Sequence, residues 1–388
     1  MKYMGNKNKM LPVLGNILLE YSGDAARIAD PFCGSASVSW FLAQNTDKIV
    51  IAGDIQSYAV ARAKAVVERT EVFDSEEFLD NWFLAATQRI HQVSSYFPND
   101  LNSISPDLSD LSQIEVTVQK CRNFCSVALP EVLKRVGGVW PLTKAYGGHY
   151  YSPVQALMLD ALRQTLPEHV HHRDVGMAAL IEAASLAAAS PGHTAQPFQP
   201  TKTSAPYIVE AWKRDPYILV RSAVTEMAAM AAQSAGNGIV GDFEKTISLL
   251  EPGDVIFADP PYSGVHYSRF YHCLETITRG TEFEPEGVGR YPSIQDRPSS
   301  AFSKKTEALK AAHQLLQKCY DVRATLILTF PEKGSNGLLA KDFTDFGQNI
   351  FSQVRTEIVK SDFSTLGGNK KNREARQKCN ELIMCFIP

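Results

Sequence analysis

Apolar positions in the first seventy residues recur at helical spacing, then in short unbroken runs. From Met10 to Tyr21, Leu11, Leu14, Ile17 and Leu18 lie three or four apart, which predicts a helix. Arg27 to Ala29 reads as a short strand ending at Asp30, and Val38 to Gln44 as a helix after a turn at Gly34. Lys48 to Ala52 (K-I-V-I-A) is almost continuously apolar and closes on Gly53-Asp54, the pattern of a strand buried on both faces. Tyr58 to Arg69 supplies the next helix. From Asp74 to about Ala235 the pattern turns mainly helical, interrupted by Pro-, Gly-, Asn- and Ser-bearing loops at Ser94 to Ser109, Gly137 to Ser152 and Ser190 to Pro206.

Alternation resumes after Gly238 to Gly241. Asp254 to Ala258 (D-V-I-F-A) predicts a strand, Thr306 to Tyr320 a helix, Arg323 to Phe330 a strand, Thr344 to Glu357 a helix and Glu381 to Ile387 a last strand. The expected fold is α/β, a doubly wound and mainly parallel sheet with a largely helical insert. The boundaries expected are 1–72, 73–236 and 237–388.

Composition narrows the class. With 388 residues, 44% of them hydrophobic and 21% charged, the chain reads as a globular protein of more than one compact part. Ala178 to Ser190, the longest run of apolar or small residues, contains Glu182 and is too short to span a bilayer. With no signal-peptide pattern at the start, a cytoplasmic protein without a membrane partner is expected. The seven cysteines include no CxxC pair, so buried free thiols are expected and no metal site is. A net charge of −3 excludes an indiscriminate nucleic-acid coat but not an enzyme with one basic face. Lys370, Lys371, Arg373, Arg376 and Lys378 crowd one short segment, and Lys304 with Lys305 form another cluster.

Chemistry concentrates where predicted strands end. Asp259-Pro260-Pro261-Tyr262 directly follows the D-V-I-F-A strand, and ligands of parallel sheets sit outside strand carboxyl ends. Two prolines stiffen the turn and remove two N–H donors, leaving carbonyls as acceptors. A carboxylate beside such a carbonyl can hold an –NH2 group and aim its lone pair, while Tyr262 offers a face for stacking on a flipped base. In Asp30-Pro31-Phe32-Cys33-Gly34-Ser35, an acidic strand end precedes a turn with a single glycine. That is not the pyrophosphate fingerprint, and the carboxylate suits a ligand with an ammonium group, such as S-adenosyl-L-methionine. Asp54 follows Gly34 by the spacing at which doubly wound folds place a ribose-binding carboxylate. Lys2-Tyr3-Met4-Gly5-Asn6-Lys7 and Gly241-Asp242-Phe243 are weaker signals of the same kind.

In their order these motifs resemble the Dam-like adenine-specific DNA methyltransferases. The resemblance implies a Rossmann-like methyltransferase sheet whose helical insert recognises the target. It implies methyl transfer from S-adenosyl-L-methionine to the N6 amino group of an adenine flipped out of double-stranded DNA. By motif, Tyr3 and Lys7 would contact the cofactor, as would Ile55; Asp30, Phe32 and Gly34 would line its methionine part, Asp54 its ribose, and Asp242 with Phe243 its adenine. Asp259, Pro260, Pro261 and Tyr262 would be catalytic, with Asp259 bordering the cofactor too. Tyr267 and Arg269, in a loop that in the family moves with target binding, would contact DNA, as would Lys370 and Lys371 after Gly367-Gly368-Asn369. His266 and His272 are read as DNA-contacting or structural groups rather than bases, since amino methylation needs little base strength before transfer. Arg163, His169, His171, His172, Arg173 and Lys202 are the insert's candidates for base or phosphate contact. A cognate restriction endonuclease or defence-system proteins are the implied partners, and the expected oligomeric state is a monomer or weak dimer. The rival readings are an amino methyltransferase of RNA, cytosine or protein, a DNA-binding module that has lost catalysis, and, remotely, a nicotinamide dehydrogenase.

Overall fold

A computed structural model describes residues 1, 3, 7–97, 105–261, 267–364 and 376–388. The chain forms two compact units. One comprises Tyr3–Val72, Met230–Ser268 and Pro298–Pro388; the other is built from Met1–Lys2, Phe73–Ala229 and Arg269–Arg297. The sequence pattern places Arg269–Arg297 with the last sheet segment, whereas the segment packs within the second unit. Its helix His272–Arg279 buries Cys273, Leu274 and Ile277 there.

The first unit carries a seven-stranded sheet in the order β3-β2-β1-β4-β5-β7-β6. The strands are β1 Arg27–Asp30, β2 Ile49–Asp54, β3 Asn237–Val240, β4 Val255–Ala258, β5 Thr325–Pro331, β6 Gln353–Ser364 and β7 Arg376–Ile387. β1 to β5 are parallel neighbours: Ile28 lies beside Val50 on one side and Val255 on the other. Residues such as Ile28, Val50, Ile256 and Leu328 are completely or almost completely buried, which explains their unbroken apolar runs. Connections run one way from β1 to β2 and the opposite way from β4 to β5. Right-handed crossovers therefore put the helices Ser37–Asn45 and Ser57–Val67 on one face and Ala308–Asp321 on the other. The sheet is thus doubly wound, as the sequence predicts, and its order reverses between β1 and β4.

Two predicted segments differ, the first being the loop expected over Gly137 to Ser152, which holds the helix Pro141–Tyr146. The helix expected over Thr344 to Glu357 is Ala340–Ile350, and the chain then turns into β6. Phe343, Phe346 and Ile350 carry the helical spacing, but from Val354 onward the sequence alternates through Arg355, Thr356, Glu357 and Ile358. That period of two suits an edge strand, and β6 pairs antiparallel with β7 from Gln353↔Ile387 to Ser364↔Arg376. β3, which the sequence pattern leaves as a lead-in to Asp242, is a four-residue edge strand against β2.

Among its described residues, the regular elements of the second unit are helices, joined by loops that hold two isolated bridges, Gly147↔Tyr151 and Glu286↔Tyr291. One of its cores packs Ile114, Val118 and Cys121 against Ile208, Val209 and Trp212. Among the described residues no helix is long and apolar enough to cross a membrane. Six cysteines, Cys33, Cys121, Cys125, Cys273, Cys319 and Cys385, are free and buried.

Candidate active site

Three strand ends of the sheet unit converge. β1 finishes at Asp30, and the chain then reverses through Gly34 (φ +47°) and Ala36 (φ +64°) to start the helix Ser37–Asn45. Ser39, in that helix's first turn, donates to Asp30 Oδ2 over 2.6 Å. Among the described residues, nothing hydrogen-bonds the buried Asp30 Oδ1. Burial pushes the carboxyl up to about 7, although the Ser39 hydroxyl and the Phe32 N–H pull the other way.

β2 ends at Asp54, whose carboxylate accepts the Gly34 N–H at Oδ2 (3.1 Å) and the Gln56 N–H at Oδ1 (2.9 Å). The Cys33 N–H bonds Gly53 O over 2.9 Å, so the two turns are joined by backbone as well. A side chain at Gly34 would place its Cβ 2.4 Å from Tyr3 Oη, so the turn requires glycine for contact and for conformation.

These turns border a cavity of about 290 Å³. Tyr3, Lys7, Asp30, Phe32, Gly34, Asp54, Ile55, Asp242, Phe243, Asp259, Pro260 and Pro261, all anticipated from sequence, line it. Phe32, Phe243 and Phe302 form an aromatic trio on one wall, with ring centroids 5.6–5.9 Å apart. Asp242 is the N-cap of the short helix Phe243–Ile247: its Oδ1 accepts the Lys245 N–H over 3.0 Å.

Asp259 follows β4 at the cavity's edge. Its Oδ1 accepts from Thr329 Oγ1 of β5 (2.8 Å) and lies 3.0 Å from the Lys7 ammonium. Lys7 also pairs with Glu381 of β7. Burial raises the Asp259 carboxyl while the Lys7 charge opposes the rise. Among the described residues nothing bonds Asp259 Oδ2, so one oxygen is clamped and the other is available.

Tyr267, expected at DNA, lines this cavity, its ring 6.4 Å from that of Tyr3. Arg269 belongs to the helical unit, where it covers the Tyr291 ring at 5.2 Å and bonds its hydroxyl. His272 is buried in that unit between Tyr146 Oη at Nδ1 (2.8 Å) and Thr194 O at Nε2 (2.6 Å). Burial pushes it down to about 3, so it is a neutral structural residue. Arg163 donates to Ile277 O, and His172 stacks on Phe78, so both are tied into the unit's packing. Tyr262, His266, Lys370 and Lys371 lie outside the described residues. The sequence reading missed Phe302, Thr329, Glu381 and Gln56. Glu381 carried one faint signal, an acid opening an otherwise apolar strand.

A doubly wound sheet with acidic turns at two adjacent strand ends and a clamped Asp-Pro-Pro corner at the switch point defines a Rossmann-like methyltransferase. The model of the D12 class N6 adenine-specific DNA methyltransferases matches residues 3–113 and 180–329, about two thirds of the chain, and the chain belongs to that family. Its reaction is methylation of adenine in DNA, and the family implies dependence on S-adenosyl-L-methionine in general. No curated protein matches the chain.

Proposed function

We propose that the cavity beside Gly34 binds S-adenosyl-L-methionine and that the Asp259 corner holds the target adenine, flipped from duplex DNA. The residues present fit that cofactor. Asp30 Oδ1, a buried acceptor with no hydrogen-bond partner among the described residues, suits its ammonium group. Asp54, held by two backbone N–H groups, lines the cavity as an acidic acceptor suited to ribose hydroxyls, and Phe32, Phe243 and Phe302 offer faces and edges to an adenine. When bound, the cofactor supplies an electrophilic methyl group on a sulfonium.

The chain's own task is then positioning. One observation carries the reading: Thr329 and Lys7 fix Asp259 Oδ1 while Oδ2 is left to accept an amino N–H. Pro260 and Pro261 stiffen the corner by fixing φ. An –NH2 group gripped there has its lone pair turned out of conjugation and toward the donor. Orientation and fixed electrostatics supply the rate, and no covalent enzyme intermediate is required. In the same reading the helical unit recognises the target, and a restriction or defence system is the biological setting. The test is Asp259→Ala. Labelled methyl transfer to unmethylated duplex DNA should fall by about 10²-fold or more, the order seen when one oriented polar group is removed from an active site. Calorimetric binding of S-adenosyl-L-methionine should largely persist. Full activity in that variant refutes the assignment.

A further inference from the structure

We propose that Glu381 is a positioning residue for methyl transfer, holding the Lys7 ammonium where it clamps Asp259 Oδ1. The inference rests on the reading of Asp259 as the amine acceptor.

Glu381 lies beyond the residues matched by the family model. In β7 it opens the run Leu382-Ile383-Met384-Cys385-Phe386, in which every side chain is buried. Its backbone is pinned on both sides, opposite Pro331 of β5 and Val359 of β6. Glu381 is only 9% exposed, and a carboxylate there costs stability unless it is paired. For the sheet alone another apolar residue would serve better. The charge is matched by Lys7, which is 5% exposed and lies within bonding reach of both Glu381 and Asp259.

Lys7 needs such an anchor. It opens a single 3-10 turn, Lys7–Lys9, and a lysine ammonium on its four-carbon stem has no preferred direction of its own. Without Glu381, the ammonium could follow the Asp259 carboxylate toward the cavity, or turn to a ligand. Glu381 holds it from the far side. The result is a relay across three elements, from β7 to the N-terminal turn to the corner after β4. Among the described residues, the ionisable groups that interact with Asp259 include Lys7, Glu381, Asp30 and Tyr267. Lys7 is the cation among them, so its placement governs the charge on the corner.

The experiment is single-turnover methyl transfer to adenine-unmethylated genomic duplex DNA at saturating labelled S-adenosyl-L-methionine. It compares the full-length protein with Glu381→Ala, Glu381→Gln, Lys7→Met and the Lys7→Met/Glu381→Ala double variant across pH 5 to 9. Glu381→Ala should slow transfer at least tenfold, yet add less than twofold once Lys7 is gone, because its effect passes through Lys7. Glu381→Gln keeps the acceptor for Lys7 and removes one negative charge beside Asp259. It should therefore stay within about threefold of the unaltered rate at neutral pH, with its acid limb displaced to lower pH. A residue that only stabilises β7 would multiply its effect with that of Lys7→Met and leave the acid limb in place, and either result overturns the proposal. If Glu381→Ala fails to fold, the Glu381→Gln limb still decides. A dead Asp259→Ala with a fully active Glu381→Ala sinks this inference alone, whereas an active Asp259→Ala sinks the reading beneath it.

Discussion

The Gly34 backbone N–H donates to Asp54 Oδ2 over 3.1 Å, so the turn after β1 and the end of β2 form one hydrogen-bonded unit. Gly34 makes that bond from a turn held at φ +47°, and Tyr3 fills the space where a Cβ would stand. Gly34→Ala adds a Cβ 2.4 Å from Tyr3 Oη in a conformation that alanine disfavours. Either the Tyr3 ring is driven from its place in the cavity wall or the turn shifts and Asp54 with it, and both disturb the cavity. Affinity for S-adenosyl-L-methionine, measured by calorimetry, should fall at least about tenfold, roughly 1.4 kcal/mol. Unchanged affinity would place the cofactor elsewhere.

Asp30 gives the same site a pH signature. Burial raises its carboxyl from 3.8 to about 7, so the folded chain holds a proton that the unfolded chain has released. The stability from this group is complete below about pH 4 and is lost as pH rises through about 7. Asp30→Asn should therefore stabilise the ligand-free protein more at pH 8 than at pH 5 in thermal melts. A cationic ligand at Oδ1 favours the carboxylate. Binding of S-adenosyl-L-methionine near pH 6.5 should release close to half a proton or more, read from calorimetry in buffers of different ionisation enthalpy. No proton release, together with normal binding by Asp30→Asn, would remove Asp30 from the site.

How far the sequence revealed this site follows from the range of the interactions involved. β1, β2, β4 and β5 were readable because strands covered on both faces must be continuously apolar, and their acidic ends stand out against those runs. Asp30, Gly34, Asp54 and Asp259 were therefore found by position alone. Phe302 was not, because it lies in a one-turn 3-10 segment, Ala301–Ser303, with no periodicity to mark it. Thr329 looked like one more β5 residue; only the parallel pairing of β4 with β5 brings its hydroxyl to Asp259. Tyr267 was assigned to DNA because its neighbours are polar and aromatic, and the packing of its ring near Tyr3 is a contact across most of the chain. β6 was misread where a helical spacing runs straight into an alternating one.

The helical unit carries a different pH response. Burial pushes His272 down to about 3, and it lowers His149 to about 3 with help from the nearby Arg290 and Arg122 charges. An unfolded chain takes up these protons near pH 6.5 while the folded unit refuses them, so stability is complete above about 6.5 and drains away as pH falls toward 3. Melting temperature should drop between pH 7.5 and pH 5. His272→Ala leaves a cavity beside Tyr146 and removes a hydrogen bond to Thr194 O, costing roughly 2–4 kcal/mol at neutral pH. The same variant should show a weaker acid dependence. An acid response as steep as that of the unaltered protein would mean that His272 is charged in the fold.

The aromatic trio separates packing from binding, since its members differ in burial. Phe302 is 1% exposed, whereas Phe243 is only partly buried and Phe32 joins them at 5.6–5.9 Å. Phe302→Ala should lower stability by about 3–5 kcal/mol, the usual cost of emptying a buried aromatic site. Phe243 sits at the cavity wall, so Phe243→Ala should cost under about 2 kcal/mol in denaturant melts yet weaken S-adenosyl-L-methionine by about tenfold, the loss of one stacking face. Phe243→Tyr, which keeps the face, should restore the affinity. If Phe243→Ala lost stability and no affinity, the trio would be a core cluster, and the cofactor's adenine would have to find its aromatic partner elsewhere.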